Sequence, residues 1–466
     1  MRIAPPIVHA IFPSLIISLG QHKRNDMKST DNTNTRSGPK TDLLPNLTRE
    51  LANMDSCIRC GLCHSVCPTY QETHLEEESP RGRIAMAKAL TEGHIEFSHD
   101  LIVHEESCLM CDACTEICPA GFNMETLGLA LRTDFRAQNK STHRINRLLL
   151  LPLIKLKLLR TIAKSLHTFQ KLGLIEFFKK SQISKLFGAQ QLEKLLPSIN
   201  DSFLLGDGQK WEVPSSKGQI TIATGCVMGV AFPNVHRAEI RLLNAMGYSV
   251  TAPPQGCCGA VHAHNGFTKD AQEMARSQID AFNQTEGPIL VDASGCTAHL
   301  KNYPVILRDD PVYFEQAEHF SKRVVDATEF FAPLVKDLPL KKLPGKIAYQ
   351  DACHLANLQK IREQPRQILN AIPGIQLEEM TDPTMCCGSA GIYNILEPEM
   401  ARNLGRRKAT SVKETGATIV VTTNPGCQLQ LESHLADEQV QVIHILELLD
   451  KAYMYDSNNN SDTASA

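Results

Sequence analysis

The chain has 466 residues, 42% of them hydrophobic and 21% charged, with a formal net charge of -3. Length and apolar content suit a globular protein of roughly two to four domains. The near-balanced charge excludes nucleic acid as the main partner, because no overall basic excess is present to neutralise phosphates. Sixteen cysteines dominate the composition. They fall in tight clusters within a large chain that has ample core residues, which argues against a secreted disulfide framework and for a reducing, cytoplasmic setting.

Residues 3–19 form an apolar run that superficially resembles a signal or a membrane span. Pro5, Pro6, His9 and Pro13 interrupt it, and it falls short of the roughly 20 apolar residues a span needs. Met27 opens a polar stretch, MKSTDNTNTRSGPK, and is the expected initiator. Residues 1–46 as a whole are expected to be disordered, as is the polar tail 453–466.

Eight cysteines lie within residues 47–135, spaced Cys57-x2-Cys60-x2-Cys63-x3-Cys67-Pro68 and Cys108-x2-Cys111-x2-Cys114-x3-Cys118-Pro119. A zinc site built from CxxC pairs would use four thiols and leave the third evenly spaced cysteine and the trailing proline unexplained. Two such runs resemble the bacterial two-cluster ferredoxin pattern, in which the fourth cysteine of each run ligates the other cluster. The resemblance implies one [4Fe-4S] cluster on Cys57, Cys60, Cys63 and Cys118 and another on Cys67, Cys108, Cys111 and Cys114. Forty residues separate Cys67 from Cys108, more than a compact ferredoxin needs. Within them SPRGRIAMAKALTEG predicts a helix capped by Ser79, with Pro80 in its first turn and Ile84, Ala85, Ala89 and Leu90 on its apolar face. This insert resembles the helical ferredoxin domain of succinate dehydrogenase and heterodisulfide reductase relatives.

Residues 136–216 lack cysteine and are basic and leucine-rich. Eleven Lys or Arg and one acid, Glu176, lie between Lys140 and Lys185. One reading is a helical linker whose leucines cover a core while its lysines face solvent. The other is a basic amphipathic surface, including Lys155, Lys157 and Arg160, that makes peripheral contact with a membrane.

Two α/β units follow, at 217–335 and 343–452, with LKKLPGKIAYQD as the expected hinge between them. They repeat: Cys226, Cys257, Cys258 and Cys296 correspond to Cys353, Cys386, Cys387 and Cys427, at offsets growing from 127 to 131 residues. Each unit opens with a strand pattern ending in cysteine, GQITIATGC and GKIAYQDAC, and closes with another, PILVDASGC and ATIVVTTNPGC. Strands alternating with helices predict parallel sheets, with the cysteines at the carboxyl ends of the strands. Four thiols at repeated strand ends suggest metal or redox chemistry, whereas buried thiols or a vicinal disulfide would be the simpler alternative. QGCCGAVHAHNG and TMCCGSAGIYN resemble the cysteine-rich CCG domain of the heterodisulfide reductase family. That family closes with CxxC; here Ala293 and Asn424 replace the first cysteine of the pair, so a further iron-sulfur centre in these units is left open. His262, His264 and His354 lie near the thiols as candidate hydrogen-bond or proton groups. The fold class is therefore α+β and multidomain: a helical two-cluster ferredoxin domain followed by two repeated α/β CCG domains.

Over residues 47–452 the whole order is similar to the iron-sulfur subunit family of glycolate oxidase (glycolate dehydrogenase), with SPRGRI, DACHLAN, CCGSAGIYN and TTNPGCQLQ carrying the likeness. The iron-sulfur subunit of quinone-linked anaerobic glycerol-3-phosphate dehydrogenase shares the architecture, and lactate-utilisation proteins share the CCG portion. No G-x-G-x-x-G after a strand, P-loop or nucleophile motif is present, so catalytic residues are not expected on this chain. The resemblance implies an oxidoreductase acting on a CH-OH group, with FAD on partner glycolate oxidase subunits that oxidise glycolate to glyoxylate. D-lactate is a second candidate substrate, and quinone or another acceptor receives the electrons. The isolated chain is expected to be inactive. A disulfide-reducing enzyme of the heterodisulfide type is disfavoured by the missing fifth cysteines.

Overall fold

A computed structural model of the chain describes residues 42–143, 145, 147–173, 197, 199, 202–436 and 438–453. The expected start at Met27, the tail beyond 453 and the stretch around Glu176 lie outside the described residues. The expected disorder does not reach residue 46. Leu44 and Leu47 are fully buried, a helix begins at Pro45, and Asn46 Nδ2 donates to Asp134 Oδ1 at 2.6 Å. Two leucines that complete the core of the cysteine-rich region hold this segment in place.

The cysteine-rich region is a set of short helices, among them Pro68–Thr73, Pro80–Thr91, His99–Glu106, Ala113–Ile117 and Met124–Ala137. Its two cysteine runs fold alike. Arg59 and Gly61 take left-handed conformations with φ of 56° and 85°; Met110 and Asp112, 51 residues later, do the same at 52° and 55°. A left-handed residue reverses the chain locally, which turns successive thiols toward one centre. The Pro80–Thr91 helix begins as predicted, with Ser79 Oγ accepting from the Gly82 N–H at 3.0 Å. Its buried face differs: Ala85 is exposed, and Arg83 lies fully buried beside Ile84, Ala87 and Leu90.

Among the described residues the α/β units and the segment just before them hold nine strands: β1 Gln209–Trp211, β2 Gln219–Ile222, β3 Ser249–Ala252, β4 Ile289–Val291, β5 Val324–Asp326, β6 Gly345–Tyr349, β7 Ile375–Glu378, β8 Ile419–Thr422 and β9 Gln441–His444. They form two sheets, ordered β1-β3-β2-β4-β5 and β7-β6-β8-β9. All pairings are parallel except β1 with β3. Covered on both faces, the strands read as apolar runs such as ILV and IVVT. Apart from β1, an extra edge strand drawn from before residue 217, the topologies are identical. In both units the order reverses between the first and third strands, where open parallel sheets form ligand crevices.

The two units share one core that includes Ile220, Ile222, Leu290, Ile347, Tyr349 and Val421. The helix Pro233–Ala245 packs on Ile445–Ala452, while Ala327–Phe331 packs on Glu363–Ala371. In each unit a helix between the first two parallel strands thus meets the helix after the last strand of the other, which is a pseudo-two-fold arrangement. The connection between units is tied down by backbone contacts with the end of the second unit. The Lys341 N–H donates to the Ala452 carbonyl, and Leu340 pairs with Tyr453.

In the basic segment, helices Arg147–Ile154 and Leu156–Lys171 lay Leu153, Ile154, Leu156 and Leu159 on the first unit. Ala163 and Leu166 cover Leu205 and Val230. The outer face mixes Lys155, Lys157 and Lys164 with exposed Leu158, Ile162 and Phe169. No helix among the described residues is long and apolar enough to cross a membrane.

Candidate functional site

Cys57, Cys60, Cys63 and Cys118 line one small cavity with Pro80, Ile84 and Phe122. Cys67, Cys108, Cys111 and Cys114 line a second, with Pro80, Arg83 and Met124. The fold therefore places the fourth cysteine of each run beside the other run's first three. Cys114 borders both cavities, and Cys60 is exposed to solvent whereas Cys67, Cys111 and Cys114 are buried. Burial pushes the Cys63 thiol up to about 11 and those of Cys111 and Cys114 well above the usual thiol range. Bare thiolates are thus disfavoured at those three positions, and bound iron would be the positive charge that holds converging sulfurs deprotonated. The donor sets fit iron-sulfur clusters.

The second set lies beside two cations, the buried Arg83 and the half-buried Arg132. Arg83 donates to Thr69 Oγ1 at 3.1 Å, to the Glu78 carbonyl at 2.6 Å and to Ser107 Oγ at 2.8 Å, and it pairs with the Glu78 carboxylate. Thr69 Oγ1 in turn lies 3.3 Å from Cys67 Sγ. Arg132 donates to the carbonyls of Glu106, Cys108 and His264. Burial raises the Cys108 thiol, and the charges of Arg83 and Arg132 oppose that rise. Sequence reasoning missed both arginines, since a single guanidinium on a helix reads as solvated. The available signal was Glu78, five residues before Arg83.

In the first α/β unit Cys226 Sγ lies 3.2 Å from Cys257 Sγ, and Cys258 Sγ lies 3.3 Å from Cys296 Sγ. In the second, Cys353 pairs with Cys386 and Cys387 with Cys427 in the same pattern. None of the sixteen cysteines forms a disulfide. Gly259 and Gly388, at φ of 89° and 86°, turn the chain after each adjacent pair. Thiol hydrogen bonds from both neighbours hold Cys258 and Cys387 well below the ordinary thiol range. A hydrogen bond from Cys386 holds Cys353 at about 7 despite burial. All eight thiols border one cavity of about 350 Å³ between the units.

His264 and His354 also line that cavity, 5.7 Å apart between ring centroids. His262 does not line it and packs against Phe267 instead. Asn424, at the position of the missing cysteine, points Nδ2 to Cys427 Sγ at 3.6 Å and accepts from the Gly295 N–H with Oδ1 at 3.1 Å. It binds the thiol of its own unit and the backbone of the other. Ala293, its counterpart, is buried and offers neither contact.

The ferredoxin-like region docks on both units. Arg132 and Arg136 bond the carbonyls of His264 and Asn265. On the other side Tyr393 Oη donates to the Ser107 carbonyl at 2.8 Å, and Leu109, Cys111, Cys353 and Cys386 share one apolar cluster.

The 4Fe-4S dicluster domain family matches residues 53–122, and the Cysteine-rich domain family, CCG, matches 220–301 and 347–432. The "Probable glycolate oxidase iron-sulfur subunit" of Bacillus subtilis (strain 168) is 34% identical over 414 residues, covering 84% of this chain and 93% of that protein. The chain belongs to the glycolate oxidase iron-sulfur subunit family. The Escherichia coli (strain K12) glycolate oxidase iron-sulfur subunit is 30% identical over 407 residues, 85% of this chain and 93% of that one. Lactate utilization protein A of Bacillus pumilus (strain SAFR-032) is 29% identical over 228 residues, 48% of this chain and 95% of its own length. As a member of the glycolate oxidase iron-sulfur subunit family, the chain joins a dicluster domain to two CCG repeats in an oxidoreductase setting.

Proposed function

We propose that the chain is the electron-transfer subunit of a complex that oxidises glycolate to glyoxylate, with FAD on partner subunits and quinone or another acceptor downstream. The observation that carries this reading is the contact of the Leu109–Cys111 loop with Cys353 and Cys386, which packs the two thiol systems directly against each other. A [4Fe-4S] cluster on each ferredoxin set, Cys57, Cys60, Cys63 with Cys118 and Cys67, Cys108, Cys111 with Cys114, would supply one-electron redox chemistry. Arg83 and Arg132 offset negative charge at the buried set, and Leu109 and Tyr393 give the junction an apolar lining. The eight thiols of the α/β units are candidate ligands for a further iron-sulfur centre. The exposed cations Lys155 and Lys157 and the half-buried Arg160 support peripheral attachment to the cytoplasmic face of a membrane. If a triple alanine variant of these residues fractionates with membranes as the parent does, that attachment is wrong.

The test is co-purification with flavin-bearing partners, followed by freeze-quench electron paramagnetic resonance after mixing with glycolate, D-lactate or glycerol 3-phosphate. Rapid reduction by glycolate is expected. Reduction by glycerol 3-phosphate alone would assign the chain to that dehydrogenase, and no reduction by any donor would leave the clusters a structural role.

A further inference from the structure

Outside the thiol sites, one buried cluster carries unbalanced polar chemistry. His236 and Glu239 on the helix Pro233–Ala245 and Asp292 at the end of β4 are 0%, 1% and 3% exposed. Each offers a ligand atom within 4.8 Å of the others. His236 Nε2 donates to the Thr224 carbonyl at 3.0 Å, because a carbonyl can only accept. In the neutral ring Nδ1 is then a bare lone pair, yet it faces Asp292 Oδ2 at 2.6 Å. Two lone pairs at that distance repel unless a proton or a cation lies between them.

The surroundings favour the cation. Glu239 Oε1 and both Asp292 carboxylate oxygens have no hydrogen-bond partner. The groups facing them from neighbouring elements do not supply positive charge. Asp326 is another acid, held by Thr297 and Thr328. His444 accepts from the Leu446 N–H with Nδ1 and donates to the Asp292 carbonyl with Nε2, which fixes it as a neutral ring. Among the described residues no lysine or arginine ion pair reaches Glu239 or Asp292.

The internal repeat does not preserve the cluster. The shared Leu243-Asn244-Ala245 and Leu369-Asn370-Ala371 set a 126-residue offset in this helix, which places His236 on Arg362 and Glu239 on Pro365, so the three ligand atoms belong to the first unit.

We propose that His236 Nδ1, Glu239 and Asp292 bind one divalent first-row cation of the zinc or manganese class, which bolts the helix Pro233–Ala245 to the end of β4. One imidazole and two carboxylates form a borderline-hard donor set suited to such ions. The Nε2–H bond to a backbone carbonyl is the outer support that metal-binding histidines commonly have.

Elemental analysis of the anaerobically purified, iron-loaded full chain tests this. About one zinc or manganese per chain is expected in addition to iron. X-ray absorption at that metal's edge should show nitrogen and oxygen neighbours only, at about 2.0–2.2 Å for zinc. His236→Ala and Asp292→Asn should each lose the metal while keeping the iron. Two outcomes would overturn the proposal: the wild-type chain carrying less than about a tenth of an equivalent of either metal, or an edge showing sulfur at about 2.3 Å, which would place the ion on the cysteines. Both readings come from the wild-type chain, so the answer stands even if a variant fails to fold.

Discussion

His354 donates from Nε2 to the Met110 carbonyl at 2.8 Å, so the residue after one unit's first thiol holds the residue before a thiol of the dicluster region. Asn357 extends the clasp by donating to the Cys111 carbonyl at 2.9 Å, fully buried. Asn357→Ala leaves that carbonyl without its donor, at about 1–3 kcal/mol. Hydrogen exchange of the 108–118 amides should quicken with iron content unchanged. Unaltered exchange would show that the clasp does not hold the loop.

The grouping of thiols makes a sharper demand. Cys67→Ser should abolish the same paramagnetic signal as Cys111→Ser, and Cys118→Ser the same signal as Cys60→Ser. If Cys67→Ser instead matched Cys60→Ser, each run would be holding its own cluster.

Glu105 sets a pH dependence. Burial raises its carboxyl from the ordinary 4.5 to about 8, against the pull of Arg83, and neither oxygen has a hydrogen-bond partner. Below pH 4.5 both folded and unfolded states keep the proton and stability is undiminished. Between that value and about 8 only the unfolded state ionises, so stability falls as pH rises. Glu105→Gln should therefore stabilise the iron-loaded chain at pH 8 by on the order of 2 kcal/mol and have little effect at pH 4.5. Thermal melts at the two pH values decide it.

Arg83 and Arg132 are expected to favour the reduced, more negative state of a cluster on the Cys67 set. Arg132→Met should lower the midpoint potential of that centre in a redox titration and leave the Cys57 centre where it was. Arg83→Met strands the buried Glu78 charge and should also destabilise the fold, by about 3–5 kcal/mol. Equal shifts at both centres would mean that the arginines act only through the general field.

The two CCG glycines should not respond equally. Both sit in the left-handed region, where alanine costs about 1–2 kcal/mol. A Cβ at Gly259 meets nothing nearer than 3.5 Å, but at Gly388 it would lie 2.7 Å from the Ala401 carbonyl oxygen. Gly388→Ala should destabilise by about 1 kcal/mol or more beyond Gly259→Ala in matched melts.

What could be read from the chain alone was local or repeated. The cysteine spacings, the Ser79 cap, the apolar strands and the duplication all leave their mark within a few residues or at a fixed interval. Arg83 shows what does not. Its burial depends on Glu78 from the preceding turn and on His104 and Ser107 from the end of the next helix, and nothing on its own helix announces them. Ala85 was placed inward for the same reason, since an alanine fits either face and the true inner position had gone to a charged residue. The crossed pairing of helices between units and the cavity that joins their thiols are tertiary products as well.

That crossed pairing has a consequence for how the protein is made. The helix Pro233–Ala245 packs on Val227–Ala231 and β3 of its own unit, but its largest contact is with Ile445–Ala452, near the far end of the chain. During synthesis the first α/β unit must therefore wait with its inner helix only partly covered until about residue 452 has emerged. The dicluster region closes its own core by Ala137, although its 107–111 loop gains its cover from Tyr393, Cys353 and Cys386 only later. Cys226, Cys257, Cys258 and Cys296 thus emerge well before the unit that completes their cavity, and they stay open to oxidants and stray metals until it arrives.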